Sequence, residues 1–371
     1  MQDLNKYKQI NWVDGMKINK DHFIGLENYF ISRIQSWRSS TIDQYNYGLL
    51  PFDDTIEQTI KFQAVIDNQY LNVKLINCQA ITQGGYWINI SDESSDAGGT
   101  GKIDIETSLE LKNVQEGEYY LIISVDPYSR GPVGKVSAAE DPLRFPFVVP
   151  EYKLHLSNVD VEVAGKLGSD SLILGKISYK DNKPEIINEY IPPCSSIQSH
   201  PLLIKSYTHL TQSLYALELN IIELITEINS RESSNILTKT ILHLSEKLLT
   251  FLGVHSTEYR WYLKNKPPVY LLDWVVTIAK IFKNAYETRT AEEREKLLNY
   301  FYDHFDINPS KFKQLLDHTI EIEYDHNDIN QSLKKAGDFF DVILSLFNEL
   351  KKMEFIVGGK RKTRKIDIVI R

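Results

Sequence analysis

The chain has 371 residues and a formal net charge of −8, long enough for two domains but too acidic for a general nucleic-acid binder, whose phosphate contacts need surplus Lys and Arg. Hydrophobic residues make up 42% and charged residues 25%, the composition of a folded globular protein rather than a disordered one. No run of 18 apolar residues is present to span a bilayer, and residues 1–10 lack the apolar stretch of a secretory signal.

Residues 21–37 are amphipathic and predict a helix near the start. From there to about Pro193 the pattern is strand-like, with short apolar runs separated by Gly-rich or polar turns. The candidates are 60–65, 73–76, 86–90 after Gly84-Gly85, and 102–105 after Gly98-Gly99-Thr100-Gly101. Two more follow, 119–125 ending at Asp126-Pro127 and 172–179 after Gly168-Ser169-Asp170. No alternation with helices calls for a parallel sheet, so an antiparallel sandwich or barrel is expected. Cys78 and Cys194 are the only cysteines, which fits two buried thiols in a reducing cytosol and no disulfide framework.

After Ile191-Pro192-Pro193 the period changes. Leu203, Tyr207, Leu210, Leu214, Leu217, Ile221, Leu224 and Ile228 alternate spacings of four and three, a heptad seam with Ser199 as its expected N-cap. The spacing recurs at Leu237–Phe251, at Leu272–Tyr286 after Pro267-Pro268, and at Ile329–Leu350 with Asp328 and Gln331 as an expected capping box. A shorter helical stretch covers 291–301. Four long helices with such seams predict a helix bundle. The first also carries Leu202, Ile204, Leu219, Ile222 and Ile225 beside its seam, a second apolar stripe that calls for another partner, such as a neighbouring subunit.

Motifs that would carry chemistry do not assemble. The stretch 98–102 lacks phosphate-loop spacing and has Ile103 where a magnesium-binding hydroxyl should stand, so a β-turn is expected. The run Tyr324-Asp325-His326-Asn327-Asp328 lacks the Gly and distal Glu of a calcium loop and reads as a turn leading into a helix. No second His or Cys stands at ligand spacing from His22, and neither a Gly-x-Ser-x-Gly elbow nor a His-Glu-x-x-His helix is present. No catalytic, cofactor or metal site is therefore expected.

Two segments are distinctive. The first, residues 12–23, reads Trp-Val-Asp-Gly-Met-Lys-Ile-Asn-Lys-Asp-His-Phe. It resembles the Trp-x-Glu-Gly-Met-x-Leu-x-Pro-Gln-His-Phe opening of the TssK family, baseplate subunits of type VI secretion systems. Trp12, Gly15, Met16, His22 and Phe23 match, while Lys20 and Asp21 replace its Pro-Gln pair. Tyr47-Gly48-Leu49-Leu50 is similar to that family's next segment. The second, Tyr190-Ile191-Pro192-Pro193-Cys194, is similar to the Phe-Ile-Pro-Pro-Cys that closes its β domain.

The resemblance implies a homotrimer whose N-terminal β shell docks on a TssF–TssG wedge, with Trp12, Gly15, Met16, His22 and Phe23 at the docking segment. The expected organisation is α+β and multidomain: an antiparallel β-sandwich shell over 1–196, a four-helix bundle over 197–350 and a short β-hairpin over 351–371. The family usually has a head domain after its bundle; here the last 21 residues carry eight Lys or Arg against Glu354 and Asp367. Lys360, Arg361, Lys362, Arg364 and Lys365 cluster at the turn, expected to be either a solvated tip or a contact with an acidic protein or anionic membrane surface. The expected function is a non-enzymatic baseplate subunit, cytoplasmic and peripheral to the inner membrane. The alternatives are a phage-like receptor-binding or adhesin protein and, behind it, a carbohydrate-active enzyme.

Overall fold

The computed structural model describes residues 7–52, 59–91, 105–110, 115–136, 139–159, 167–230, 235–305 and 307–352. The chain divides into two compact units, Met1–His200 and Pro201–Arg371. The turn expected at 98–102, nearly all of the hairpin expected at 351–371, and Lys360, Arg361, Lys362, Arg364 and Lys365 lie outside the described residues.

The first unit opens with α1 (Lys20–Ser39) and continues into two antiparallel sheets. In the first sheet β3 (Tyr70–Ile81) pairs with β1 (Gly48–Leu49), β2 (Ile60–Asp67), β4 (Trp87–Ile90) and β5 (Ile105–Glu110). Side chains alternate faces along a strand, so Leu71, Val73 and Leu75 are buried while Asn72 and Lys74 are less so. Beyond Leu75 the buried set passes from odd to even positions, Cys78 and Ala80. The register breaks at the same place: Lys61 faces Asn77 and Phe62 faces Leu75, so Ile76 is an extra residue. One bulged residue switches the inward face without ending the strand.

The second sheet has the order β7 (Phe147–Asn158), β6 (Gly117–Val133), β8 (Ser171–Lys180), β9 (Lys183–Ile186). The sheets meet where the Phe62 ring lies over Gly175, so closely that a Cβ there would come within 2.6 Å of it. Leu121, Ile123, Leu172 and Ile177 are buried, and Ile122 and Ile173 are covered by Tyr190.

Three features differ from the sequence expectation. β6 does not stop at Asp126-Pro127; the register breaks between Asp126 and Gly131, where Pro127 needs no ladder partner, and pairing with β7 resumes to Val133. β8 has by then left, its last partner being Ser124, so the outer part of β6 and β7 is a two-stranded ribbon. β7 and β9 were not expected, because Pro150 and Pro184 interrupt them; both lie at sheet edges, where a missing N–H is tolerated.

The second unit contains six α-helices among the described residues: α2 (Pro201–Ser230), α3 (Ile236–Trp261), α4 (Val269–Glu287), α5 (Ala291–Phe305), α6 (Pro309–Ile320) and α7 (Ile329–Leu350). α2 packs against α3 and α7, and α4 against α3, α6 and α7. Sequence reasoning missed α6, a 12-residue helix capped by Asn308 with Pro309 in its first turn. Its Phe312 packs edge-on to Phe282 and Phe301, with centroids 5.5 and 5.7 Å away. Ser199 is not the N-cap of α2: it ends a short 3-10 turn capped by Ser196, and the helix starts at Pro201. The expected capping box at Asp328 does not form either, since its side chain makes no cap hydrogen bond.

Candidate docking surface

The segment 12–23 is built around the start of α1. Gly15 has φ +79°, in the left-handed region that glycine enters without steric cost, and the chain turns there with Met16 N–H on the Val13 carbonyl at 3.2 Å. Asn19 is the N-cap: its Oδ1 accepts from the N–H groups of Asp21 and His22 at 3.1 and 3.2 Å. His22 returns the contact, its Nδ1 accepting the Asn19 N–H at 3.2 Å, so imidazole takes the place of Glu or Gln in a capping box. The same ring lies 6.0 Å from that of Trp12. His22 therefore fixes the helix start and sets Trp12 beside it.

Trp12 is 47% exposed and Phe23 56% exposed; Gly15 is also exposed, Met16 and His22 partly buried. Trp12 and Phe23 are not core residues. They begin a larger surface, for Phe23, Phe30, Ile34 and Trp37 follow at intervals of seven, four and three, along one face of α1, and Trp37 is 71% exposed. The opposite side of α1 is held by small and polar contacts. Gln35 Nε2 donates to the Gly84 carbonyl at 2.7 Å and Gly85 lies against the α1 backbone, while Glu27, which stands in the outward row between Phe23 and Phe30, pairs with Arg130 at 2.6 Å. Only Ser32 of this helix is fully buried. α1 is thus mounted with its apolar face outward, and the 21–37 amphipathic signal marked the face but not its direction.

The two later distinctive segments meet. Leu49 donates its N–H to the Pro193 carbonyl at 2.7 Å, and the Leu49 carbonyl accepts from Ser195 N–H and Oγ, both at 2.9 Å. Gly48, at φ +107°, makes this approach possible, because a Cβ there would stand 2.0 Å from the Pro193 oxygen. Tyr190, Ile191 and Cys194 are buried alongside, and Cys78 and Cys194 are free, fully buried thiols. Burial pushes Cys78 up to about 12 and raises Cys194 well above the ordinary thiol range.

In the helical unit, Leu203, Leu214, Leu217 and Ile221 are buried, while Tyr207 and Leu210 are partly buried. Tyr207 stacks on Tyr259 with centroids 5.3 Å apart, and each hydroxyl donates to the other's backbone carbonyl at 3.3 Å. A second stripe of Ile204, Tyr215, Leu219 and Ile222 is exposed on α2; sequence reasoning missed Tyr215, 64% exposed, although it stands four and seven residues before Leu219 and Ile222.

Among the described residues no group of three or more His, Cys, Asp or Glu is placed to hold a metal ion. At 324–328, Asp325 Oδ1 accepts Asn327 N–H at 2.8 Å, and Tyr324 and buried His326 share a 2.8 Å hydrogen bond. This is a turn leading into α7.

No family model matches the chain, and no curated protein does. Solved structures do. A crystal structure of TssK is 15% identical, with a TM-score of 0.51 over 91% of this chain and 69% of that one. The baseplate complex from the type VI secretion system is 13% identical, covering 93% of this chain and 99% of that one at 0.49. A TssK–TssF–TssG baseplate subcomplex solved by cryo-electron microscopy is 14% identical over 94% and 99% at 0.48. On the first of these alignments, this chain has the fold of TssK.

Proposed function

We propose that the chain is a structural, non-enzymatic subunit of a type VI secretion baseplate, linking a TssF–TssG wedge to the membrane side of the contractile machine. The observation that carries this reading is the TssK fold over 91% of the chain, joined to a segment 12–23 that matches the opening motif at Trp12, Gly15, Met16, His22 and Phe23 and exposes Trp12 and Phe23. Trp12, Met16 and Phe23 are the anchors, since large aromatic groups at the centre of an interface carry most of its binding energy. Gly15 and His22 position them. The protein works in the cytoplasm, peripheral to the inner membrane; no described helix is long and apolar enough to cross one.

The test is co-purification of the full chain with TssF-like and TssG-like proteins. Trp12→Ala with Phe23→Ala should abolish capture and leave the urea midpoint unchanged, because both side chains face water. Undiminished capture refutes the docking role.

The functional domains on this reading are 1–196, 197–350 and 351–371, and the subunit is a homotrimer. The outer α2 stripe supports self-association, as four half-exposed apolar groups in a row disfavour a free helix face. Tyr215→Glu with Leu219→Glu should reduce the particle to the 42.9 kDa single chain in light scattering. The basic tail Lys360, Arg361, Lys362, Arg364 and Lys365 serves the membrane side, each charge worth on the order of 1 kcal/mol against an anionic surface and screened by salt.

A further inference from the structure

We propose that the ribbon at the outer end of β6 and β7 docks on the distal half of α1 in a second copy of this chain. The inference rests on the self-association just described and adds a surface that the α2 stripe does not include.

The ribbon is paired only between Gly131–Val133 and Phe147–Val149, beyond the point where β8 has left the sheet. A two-stranded ribbon is marginal in water on its own. This one also carries exposed apolar groups: Phe147 and Val148 stand on its two faces, and Leu143 and Phe145 lie in the irregular segment that leads into β7, with Leu143 66% exposed. Its charges nearby are balanced, with Lys135 and Arg144 against Glu140 and Asp141, and Arg144 is already paired with Glu140 at 2.8 Å. An apolar face whose neighbouring charges balance matches permanent contacts between copies better than transient contacts with a different protein, which are more polar.

The receiving surface is the part of α1 beyond the docking segment. Phe30, Ile34 and Trp37 stand exposed in a row, and Trp87 extends them, its ring covered by the Arg38 guanidinium at 5.4 Å. Within one copy ribbon and stripe are both exposed, so neither covers the other, although Arg130 at the ribbon's base is tied to Glu27 of α1. The area is sufficient: Leu143, Phe145 and Phe147 with the four receiving side chains, each about half exposed or more, amount to roughly 800 Å² of apolar surface. Ribbon backbone and rim atoms bring the total near the ~1,000 Å² that a stable interface requires. Ribbon and stripe differ in shape, so the contact is head-to-tail, and such a contact closes into a ring when its rotation is a whole fraction of a turn, as the homotrimer proposed above requires.

The test exploits the cysteine content. Cys78 and Cys194 are the only thiols and both are fully buried, so an introduced surface cysteine reports alone. Full-length Phe147→Cys and Ile34→Cys chains are mixed and gently oxidised, with the exposed Glu295→Cys chain as control partner. The expected result is a disulfide-linked dimer in the mixture, at least fivefold above either chain alone or the control mixture, falling to control when Trp37→Glu is added to the Ile34→Cys chain. Unreactive Cys78 and Cys194 confirm that each variant is folded. A control-level yield in the mixture overturns the proposal, and so does an equal dimer from Phe147→Cys alone, which would indicate ribbon–ribbon pairing. If light scattering still shows a trimer when cross-linking fails, only the ribbon contact is refuted; a single-chain mass refutes self-association as well.

Discussion

Gly48→Ala is the sharpest test of how the first unit is closed. The added Cβ would lie 2.0 Å from the Pro193 oxygen and 2.2 Å from its carbon, both backbone atoms that cannot rotate aside. Alanine at φ +107° costs about 1–3 kcal/mol in backbone conformation alone. Relieving the clash separates Leu49 from Pro193 and Ser195, losing two backbone hydrogen bonds of 2.7 and 2.9 Å at about 1 kcal/mol each. The sum, about 3–5 kcal/mol, is a large part of a domain's usual 5–15 kcal/mol. The assay is thiol labelling in a urea series. Cys78 and Cys194 both lie in this unit, fully buried and held as unreactive neutral thiols, so labelling reports its opening and not that of the helical unit. The variant should label about a hundred- to several thousandfold faster at low urea. Gly15→Ala is the comparison: φ there is +79° but nothing lies within 4 Å, so only about 1 kcal/mol should be lost. If Gly48→Ala labels no faster than Gly15→Ala, the close approach of the two segments does not hold the unit together.

Gly175→Ala should destabilise the first unit by about 1–3 kcal/mol through overpacking against Phe62, and Phe62→Leu in the same chain should recover part of the loss in urea midpoint. His200 is pushed down to about 4 by burial, so it stays neutral in the folded protein while the unfolded chain titrates near 6.5. Its contribution is full above pH 6.5 and lost as pH falls from 6.5 to 4, an upper bound of about 3 kcal/mol; His200→Gln should flatten the urea midpoint across that window. His22→Gln should keep the capping box and wedge binding, whereas His22→Ala should fray the start of α1 and weaken both, read by amide exchange over residues 19–24.

Much of the architecture was legible because it is written in periods. The heptad rows on α2, α3, α4 and α7 and the strand runs at β2, β4 and β8 fall where short-range pattern dictates. What escaped depended on partners distant in sequence. β7 reads as a broken strand because Pro150 is acceptable only at an edge, and edge status is a property of the sheet. α6 is too short to establish a period and depends on Phe282 and Phe301 for its place. The outward mounting of α1 was equally hidden: Phe23, Phe30, Ile34 and Trp37 mark an apolar face, but only Gly84 and Gly85 reveal that the other face is the attached one. Likeness of residues 12–23 to a known opening marked the segment, yet gave no hint that His22 serves as a cap.

The outward face of α1 also bears on the life of the subunit before it meets anything. A newly made chain displays a row of large apolar side chains to solvent, the kind of feature that chaperones and proteases use to recognise incomplete products. Unassembled copies should therefore be short-lived in the cell, with a half-life that lengthens once the surfaces proposed to cover the row are present. The helix would then act as a timer on orphan subunits, keeping their supply matched to the number of machines under construction.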